Sequence, residues 1–352
     1  MRKALWLIGV LLLFPAGEKK QPERIVEREY TAELAQFQGL LEQIAEQVRP
    51  SVVQIRCRLP KGTIGIMGDT TTLELGTGFV VDAQKGYVYT SASTVKNAIA
   101  IQVLFHDGVK VQGKLLGLDI PTDVAVVKVV RENLKAITLG DSDNTYIGEP
   151  IIGISTGTPD LPGYGFWYGW GILAAKPPAG PWAEGGLSSF FQMNAPANYG
   201  YQGGPVLNLN GEVIAMGTLL RFEGRGLYLH FALPINSVKR VAQEIIEKGK
   251  FDTPWVGLEA SFLDWLLVQN YQYPYNYGIY VTTIQPNSPA EKAGILPGDF
   301  ILEVEGKRIS TPHQFWEYVN SLNIGDKVHL LLWREGVTFE KNLQIGKKEG
   351  GK

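Results

Sequence analysis

Gly78-Phe-Val-Val-Asp82 is followed, after Ala83-Gln-Lys-Gly86, by Tyr87-Val-Tyr-Thr90. Both short runs are rich in β-branched and aromatic residues, which suit a pleated strand, while the residues between them favour a turn. Similar runs lie on either side, at 51–56 and 101–105. Many short strands separated by turns are typical of a β-barrel or β-sandwich, and not of alternating strands and helices. This region therefore predicts a mainly β fold.

Two helices are expected to flank the β region. On its N-terminal side, apolar residues recur at helical spacing until Pro50: Leu34, Phe37, Leu40, Leu41, Ile44, Ala45 and Val48. On its C-terminal side, Asn236 is the expected cap of a helix that Gly249 ends. The polar stretch that follows marks an expected boundary, so we predict one domain at 48–250 and a second at 253–348.

The composition excludes several classes of function. The chain has 352 residues and a formal net charge of -2, which provides no basic surface for nucleic acid. Cys57 is the single cysteine, so neither an intramolecular disulfide framework nor a cysteine-based zinc cluster can form. The histidines show no metal-ligand spacing: His106, His230, His313 and His329. We therefore predict no metal, no cofactor and no nucleic-acid partner.

The N-terminus indicates transport out of the cytoplasm. Arg2 and Lys3 precede the apolar run Ala4–Phe14, a pattern that is typical of a secretory signal. The run is shorter than the roughly 20 residues of a membrane span. The cleavage site is poor, however, because Phe14 or Pro15 would occupy a position that favours a small residue. We predict a signal peptide or membrane anchor over 1–17, a tether and helix over 18–47, and an extracytoplasmic location.

Several linked motifs carry a family resemblance: Gly76-Thr-Gly-Phe-Val-Val-Asp82, Gly86-Tyr-Val-Tyr-Thr90, Thr122-Asp-Val-Ala-Val-Val-Lys128, Leu139-Gly-Asp-Ser-Asp143, Gly203-Gly-Pro-Val-Leu-Asn-Leu-Asn-Gly-Glu-Val-Ile214 and Phe231-Ala-Leu-Pro-Ile-Asn236. In this order and at this spacing, they resemble the HtrA/DegP family of trypsin-like serine proteases over about residues 48–348. The resemblance implies a chymotrypsin-like double β-barrel followed by a PDZ domain, with an N-terminal helix.

The resemblance also implies a catalytic triad, and this chain departs from it at two positions. Ser93 stands at the histidine position, Asp123 at the aspartate position and Gln202 at the nucleophile position, while Gly200 lies in the oxyanion region. A serine hydroxyl is not a general base near neutral pH, and a glutamine amide is not a nucleophile. Loss of the serine or histidine of such a triad costs about 10⁶ in turnover. We therefore expect a catalytically inactive member of the family, a pseudoprotease.

Two other functions stay open. Ser93 could pair with His230 in a relocated active site, with Ser91 as the other nearby hydroxyl, and the chain would then be an active serine endopeptidase. Alternatively, the chain could be a structural subunit of a membrane complex. The aromatic stretch Leu161–Trp170 beside the cleft could either plug the cleft or form a surface for a partner.

A second site is expected in the PDZ domain. Trp255-Val256-Gly257-Leu258 resembles the carboxylate-binding loop of HtrA-type PDZ domains, whose backbone N–H groups capture a peptide C-terminus. By the same resemblance, Phe315 and Val319 would line the other wall of the groove, on the helix that also carries His313 and Trp316. The aromatic stretch Phe262–Tyr277 departs from the family and could cover or enlarge the groove.

These expectations together predict a non-catalytic protein of the periplasm or cell envelope that binds C-terminal or unfolded peptide segments of proteins. Its role would be that of a scaffold, a chaperone-like protein or a regulator in protein quality control. By resemblance to the family, we expect a homotrimer or a hetero-oligomer with an active relative, with membrane attachment as an additional expectation.

Overall fold

The computed structural model describes residues 31–64, 70–156, 165–176, 190–195, 200–218 and 230–347. The predicted signal peptide or anchor and the predicted tether lie outside these ranges. The chain divides into two units, residues 1–39 and residues 40–352. Helix α1 runs over Ala32–Val48, and a 3₁₀ turn follows at Arg49–Ser51. Among the helices in the described ranges, none is both long enough and apolar enough to cross a membrane.

The first barrel contains the segment that predicted the β fold. Its six strands close in the order β1-β2-β3-β6-β5-β4. They are β1 (Val52–Ile64), β2 (Thr70–Asp82), β3 (Tyr87–Ser91), β4 (Ala100–Leu104), β5 (Lys110–Asp119) and β6 (Val124–Lys128). A single-turn helix, α2 (Ala92–Val95), follows β3 directly. The two runs of the opening segment pair with each other, with Gly78 opposite Thr90 and Val80 opposite Val88.

The second barrel closes in the order β10-β11-β12-β9-β8-β7. Its strands are β7 (Pro150–Thr156), β8 (Phe166–Ala175), β9 (Phe191–Met193), β10 (Pro205–Leu207), β11 (Val213–Thr218) and β12 (His230–Pro234). Helix α3 (Ile235–Lys248) follows and ends at Gly249, which adopts φ +74°. Asn236 is not its cap, so that prediction was wrong. The helix starts two residues earlier than that cap would place it, with Pro234 at the N-cap position. The Asn236 side chain instead donates to Asp141, and its backbone N–H donates to the Ser142 hydroxyl.

The C-terminal domain is built on a sheet of order β14-β15-β16-β18-β19, with β17 paired to β16. Its strands are β13 (Pro254–Trp255), β14 (Leu258–Ser261), β15 (Ile279–Ile284), β16 (Phe300–Val304), β17 (Lys307–Arg308), β18 (Lys327–Arg334), β19 (Val337–Gln344) and β20 (Gly346–Lys347). Its helices are α4 (Trp265–Asn270), α5 (Pro289–Lys292) and α6 (Pro312–Asn320). In the described part of the chain, β14 has β15 as its only neighbour and is therefore an edge strand.

Separate hydrophobic cores hold these parts together. One cluster joins strands of both barrels to α3 and to Ile44 and Val48 of α1, and a second fills the sheet and helices of the C-terminal domain. The predicted fold class is confirmed: a mainly β chain with a double barrel, a PDZ-type domain and an N-terminal helix.

Candidate functional site

Strands β3 and β6 bring together residues that lie far apart in the sequence. Ser91, the last residue of β3, pairs with Val124, the first residue of β6. Asp123 immediately precedes Val124 in the sequence, and its backbone carbonyl accepts a hydrogen bond from the Ala92 N–H at 3.1 Å. Asp123 adopts φ +53°, an uncommon conformation for a residue other than glycine. The ladder therefore places the aspartate position beside α2, which carries the histidine position, Ser93.

The carboxylate of Asp123 is held by donors from both barrels. Its Oδ1 accepts from the Ser91 hydroxyl at 2.8 Å and from the Ser93 backbone N–H at 2.7 Å, and its Oδ2 accepts from the Thr218 hydroxyl at 2.6 Å. The Ser91 and Ser93 hydroxyl oxygens lie 2.5 Å apart. Since the Ser91 proton points to the carboxylate, the Ser93 hydroxyl donates to Ser91. The side chains at the predicted histidine and aspartate positions thus belong to one hydrogen-bond network.

Burial raises the pKa of Asp123, while hydrogen bonds from Thr218, Ser93 and Ser91 offset part of that rise. His230, the histidine considered for a relocated site, is half-buried at the start of β12, and burial lowers its pKa. In the described residues, no hydrogen bond joins His230 to Ser93. The network around Ser93 therefore contains a carboxylate but no imidazole.

Gln202, at the nucleophile position, connects the second barrel to the first. Only 2% of the residue is exposed. Its side-chain amide donates to the backbone carbonyl of Leu75 at 2.9 Å. The backbone carbonyl of Gln202 accepts from the Thr77 N–H at 3.0 Å. The Thr77 hydroxyl donates to the Gly200 carbonyl at 2.6 Å. Gln202 is thus fixed along β2, where its amide satisfies a buried carbonyl.

The backbone of the same loop keeps some features of an oxyanion hole. In the described part of the chain, neither the Gly200 N–H nor the Gln202 N–H has a hydrogen-bond acceptor. The Gly203 N–H, by contrast, donates to the Gly217 carbonyl at 2.8 Å. Such unpaired amides could stabilise an oxyanion. They do not replace a nucleophile or a base.

The aromatic stretch beside the cleft is described only in part, because residues 161–164 lie outside the described ranges. Trp167, Tyr168 and Trp170 belong to β8 and are 47%, 40% and 59% exposed. These three side chains therefore do not form a buried plug. The Tyr168 hydroxyl donates to the Ala45 carbonyl of α1 at 3.4 Å.

The loop between β13 and β14 contains unpaired backbone donors. Gly257 adopts φ +71°, and a Cβ built on it would lie 2.2 Å from the Ser288 Cβ, so only glycine fits. The carbonyls of this loop are used: Val256 O accepts from Ala290 N and Gly257 O accepts from Gln285 N. The Val256 and Gly257 N–H groups have no acceptor in the described part of the chain. Adjacent free N–H groups around a left-handed residue can bind an anion such as a carboxylate.

The other predicted groove residues are mostly buried in the domain core. Phe315 and Val319 are on the inner face of α6 and are fully buried, as is Val256, while Leu258 is 3% exposed. All four belong to the core of this domain. In this structure Phe315 and Val319 therefore offer no exposed surface to a ligand side chain. Trp255 is half-buried and pairs with Gly346. For His313, only its position on α6 is described.

Sequence reasoning missed Thr218, which connects the second barrel to Asp123. Thr218 is the last residue of β11, seven residues after Gly211 of the turn signal Asn210-Gly211. A threonine at a strand end has many uses, so the sequence alone carries no signal for its contact with Asp123. The contact depends on how the two barrels pack.

Comparisons with known proteins agree with this geometry. Residues 76–216 match the trypsin-like peptidase domain, and residues 280–334 match the PDZ domain. The chain is 35% identical over 275 residues to the periplasmic serine endoprotease DegP of Salmonella typhimurium, a match that covers 78% of this chain and 57% of DegP. The chain therefore combines a trypsin-like peptidase domain with a PDZ domain, and it is similar to DegP. Both matches lie inside the predicted ranges 48–250 and 253–348, whose boundaries stay predictions.

Other HtrA-type proteins are similar over larger shares of their length. The periplasmic pH-dependent serine endoprotease DegQ of Escherichia coli is 29% identical over 317 residues, which cover 85% of this chain and 69% of DegQ. The solved structure of the HtrA-type protease AlgW with a tripeptide superposes with a TM-score of 0.74 at 25% identity, covering 88% of this chain and 98% of AlgW. This chain spans somewhat more than half the length of DegP, so the activity of the whole DegP protein does not transfer to it directly.

Proposed function

We propose that this chain is a non-catalytic HtrA-type protein that binds C-terminal or unfolded peptide segments outside the cytoplasm. The observation that carries the proposal is the state of the nucleophile position. Gln202 is buried and hydrogen bonded to Leu75 of the other barrel, and it has no group that can attack a carbonyl. At the histidine position, Ser93 supplies no base.

The binding part of the proposal is supported by the loop Trp255–Leu258 and by β14. The loop offers two unpaired N–H groups, and β14 offers an unpaired strand edge directly after them. A peptide whose carboxylate binds the loop could continue along β14 as an added strand. AlgW, a structural relative, was solved with a bound tripeptide.

The proposed location outside the cytoplasm is supported by the basic and apolar N-terminal sequence, and the relatives DegP and DegQ are periplasmic proteins. We further propose a homotrimer or a hetero-oligomer with an active relative, attached to the membrane through its N-terminus. The role would be in protein quality control, as a scaffold, a chaperone-like protein or a regulator.

The experiment has two arms. The full chain, at high concentration, is incubated with an unfolded protein substrate and with a fluorophosphonate probe. We expect no cleavage and no labelled serine. Calorimetry with C-terminal peptides is expected to show binding. Labelling of a serine together with cleavage would contradict the non-catalytic proposal, and failure of every peptide would contradict the binding proposal.

A second candidate is an active serine endopeptidase with a relocated site. It is favoured by the hydrogen-bond chain from Ser93 through Ser91 to Asp123, and by the unpaired N–H groups of Gly200 and Gln202. In that case Ser91→Ala or Ser93→Ala would abolish the labelling. A structural subunit of a membrane complex is the third candidate, and it predicts neither labelling nor peptide binding.

A further inference from the structure

The segment Phe262–Leu266, here called the aromatic extension, exposes apolar side chains without a covering partner in the described part of the chain. Phe262, Trp265 and Leu266 are 55%, 65% and 51% exposed. Neighbouring large apolar side chains on a surface commonly mark a binding site. The extension follows Ser261, the last residue of the edge strand β14, without a gap.

The extension is held in place by two of its other residues, Leu263 and Asp264, and by Val268 just after it. Leu263 and Val268 pack against a cluster on the sheet that includes Tyr273, which stacks on Phe300 with ring centroids 4.2 Å apart. Asp264 caps α4 by accepting a hydrogen bond from the Leu267 N–H at 2.8 Å. The exposed side chains are therefore presented by an ordered segment, which lowers the entropic cost of binding.

The direction of β14 determines what would meet the extension. A peptide whose carboxylate binds the Val256 and Gly257 N–H groups, and which adds antiparallel to β14, has its last residue near Leu258. The four residues of β14 span about 13 Å, enough for about four peptide residues. Residues further from the C-terminus must then pass Phe262 and Trp265.

The charges along this path have one sign. The charged residues on β14, on the aromatic extension and on α6, leaving His313 aside, are Glu259, Asp264 and Glu317. Glu259 and Asp264 are exposed. A residue directly opposite Glu259 on an added strand would lie on the same face, where opposite charges stabilise the pair. A peptide with basic residues near its C-terminus is therefore the complementary occupant.

We propose that the aromatic extension is an additional peptide subsite, which selects C-terminal peptides with a large apolar residue at the fifth or sixth position from the C-terminus and basic residues after it. This inference rests on the proposed peptide-binding function. Because the extension is exposed while Phe315 and Val319 are buried, the extension offers side-chain surface to a peptide in this structure and these two residues do not.

The test compares peptide lengths on the full chain. An array of octapeptides with free C-termini identifies binders, and calorimetry then compares each binder with its own last four residues. We expect the octapeptides to bind about tenfold more tightly than the tetrapeptides, and the binders to be enriched in Lys or Arg. Equal affinity at the two lengths, or binders without these basic residues, would overturn the inference.

Protein variants locate the effect. In Trp265→Ala with Leu266→Ala, we expect the advantage of the octapeptide to fall to about twofold, with tetrapeptide affinity unchanged. Tyr146→Ala, which removes an aromatic side chain that is 72% exposed in the other domain, is the matched control and should change neither affinity. An octapeptide advantage that persists in the double variant would contradict the proposal.

Two further results separate this inference from its alternatives. If no peptide of either length binds, the proposed peptide-binding function fails, and the subsite with it. If the double variant loses binding to phosphatidylglycerol vesicles but keeps its full octapeptide affinity, the extension is a membrane-binding surface, and the peptide subsite is refuted.

Discussion

The cleft between the barrels and the loop between β13 and β14 differ in whether their polar groups have hydrogen-bond partners within the described part of the chain. In the cleft, the side chains at the triad positions are paired inside the chain: Asp123 accepts from Ser91 and Thr218, and Gln202 donates to Leu75. In the loop, the Val256 and Gly257 N–H groups have no acceptor among the described residues.

The difference indicates where function resides. An unpaired donor has a free-energy cost that a ligand can recover, whereas a paired donor contributes to the stability of the fold. In the structure the side chains of the cleft connect the two barrels. Under the proposed function, the loop is the part that would bind a peptide carboxylate. The unpaired amides of Gly200 and Gln202 are the part of the cleft that does not follow this division.

The largest expected effect is on peptide binding, and comes from Gly257→Ala. The added Cβ would lie 2.2 Å from the Ser288 Cβ, so the loop must move and its N–H groups must turn. We expect the affinity for C-terminal peptides, measured by calorimetry, to fall at least about tenfold. Gly306→Ala is the control, because Gly306 has the same φ of +71° but no atom within 4 Å of a built Cβ.

Both glycine variants place alanine in a left-handed conformation, at a cost of about 1 kcal/mol. A loss of peptide affinity in Gly306→Ala as well would mean that general strain, and not the position of the loop, is responsible. Unchanged affinity in Gly257→Ala would show that the loop is not the binding site.

A second effect, on stability alone, is expected for Gln202→Ala. The change removes the hydrogen bond to Leu75 and leaves a buried carbonyl without its donor, so the free energy of unfolding should fall by about 1–3 kcal/mol. Urea denaturation of the full chain measures the loss. Gln112→Ala, at an exposed position on β5, should change it by less than about 0.5 kcal/mol. Altered peptide affinity in Gln202→Ala would contradict the separation of the two regions.

The smallest effect is expected for Asp123→Asn, and it depends on pH. Because the pKa of Asp123 is raised in the folded chain, the folded state holds this proton more tightly than the unfolded state. The contribution of Asp123 to the free energy of unfolding therefore falls as the pH rises from about 3.9, the ordinary pKa of aspartate, through the raised pKa that Asp123 has in the folded chain. Asparagine has no such titration, so the variant should lack this decline.

At neutral pH, Asp123→Asn should change the free energy of unfolding by no more than about 1 kcal/mol, since the Thr218 hydroxyl can rotate to accept from the new amide. Asp107→Asn is the control, because the pH dependence expected for Asp107 has the opposite sign. The hydrogen bond from Arg131 lowers the pKa of Asp107, so the contribution of Asp107 to the free energy of unfolding is lost as the pH falls. Urea denaturation at a series of pH values measures both slopes. An Asp123→Asn slope identical to that of the unmodified chain would show that Asp123 is not the titrating group.

Much of the fold could be predicted from local sequence. Glu335-Gly336 is a hairpin signal in the sequence, and a hairpin forms there, with both residues at positive φ and Arg334 opposite Val337. The sequence also predicts a helix from about Pro312 to Leu322, and α6 spans Pro312–Asn320, with Thr311 and Gln314 forming a capping box. Such signals depend on residues a few positions apart, so a single sequence contains them.

Helix α4 was not predicted, because its six residues are too few to show a helical period. Its position depends on the packing of Leu263 and Val268 against side chains of the sheet. The exposure of Trp167 and Trp170 also could not be predicted, since the aromatic composition of β8 is compatible with a plug and with a surface.

The sequence by itself determined the two domain types, and its motifs, in a fixed order, predict Ser93, Asp123 and Gln202 at the triad positions without any coordinates. The tertiary structure decided which contacts those residues make. Ser91 and Asp123 meet through the β3–β6 ladder, and Thr218 and Gln202 reach the first barrel only because the two barrels pack together. Hydrogen bonds between residues up to 127 positions apart form only when the chain has folded, and no local pattern specifies them.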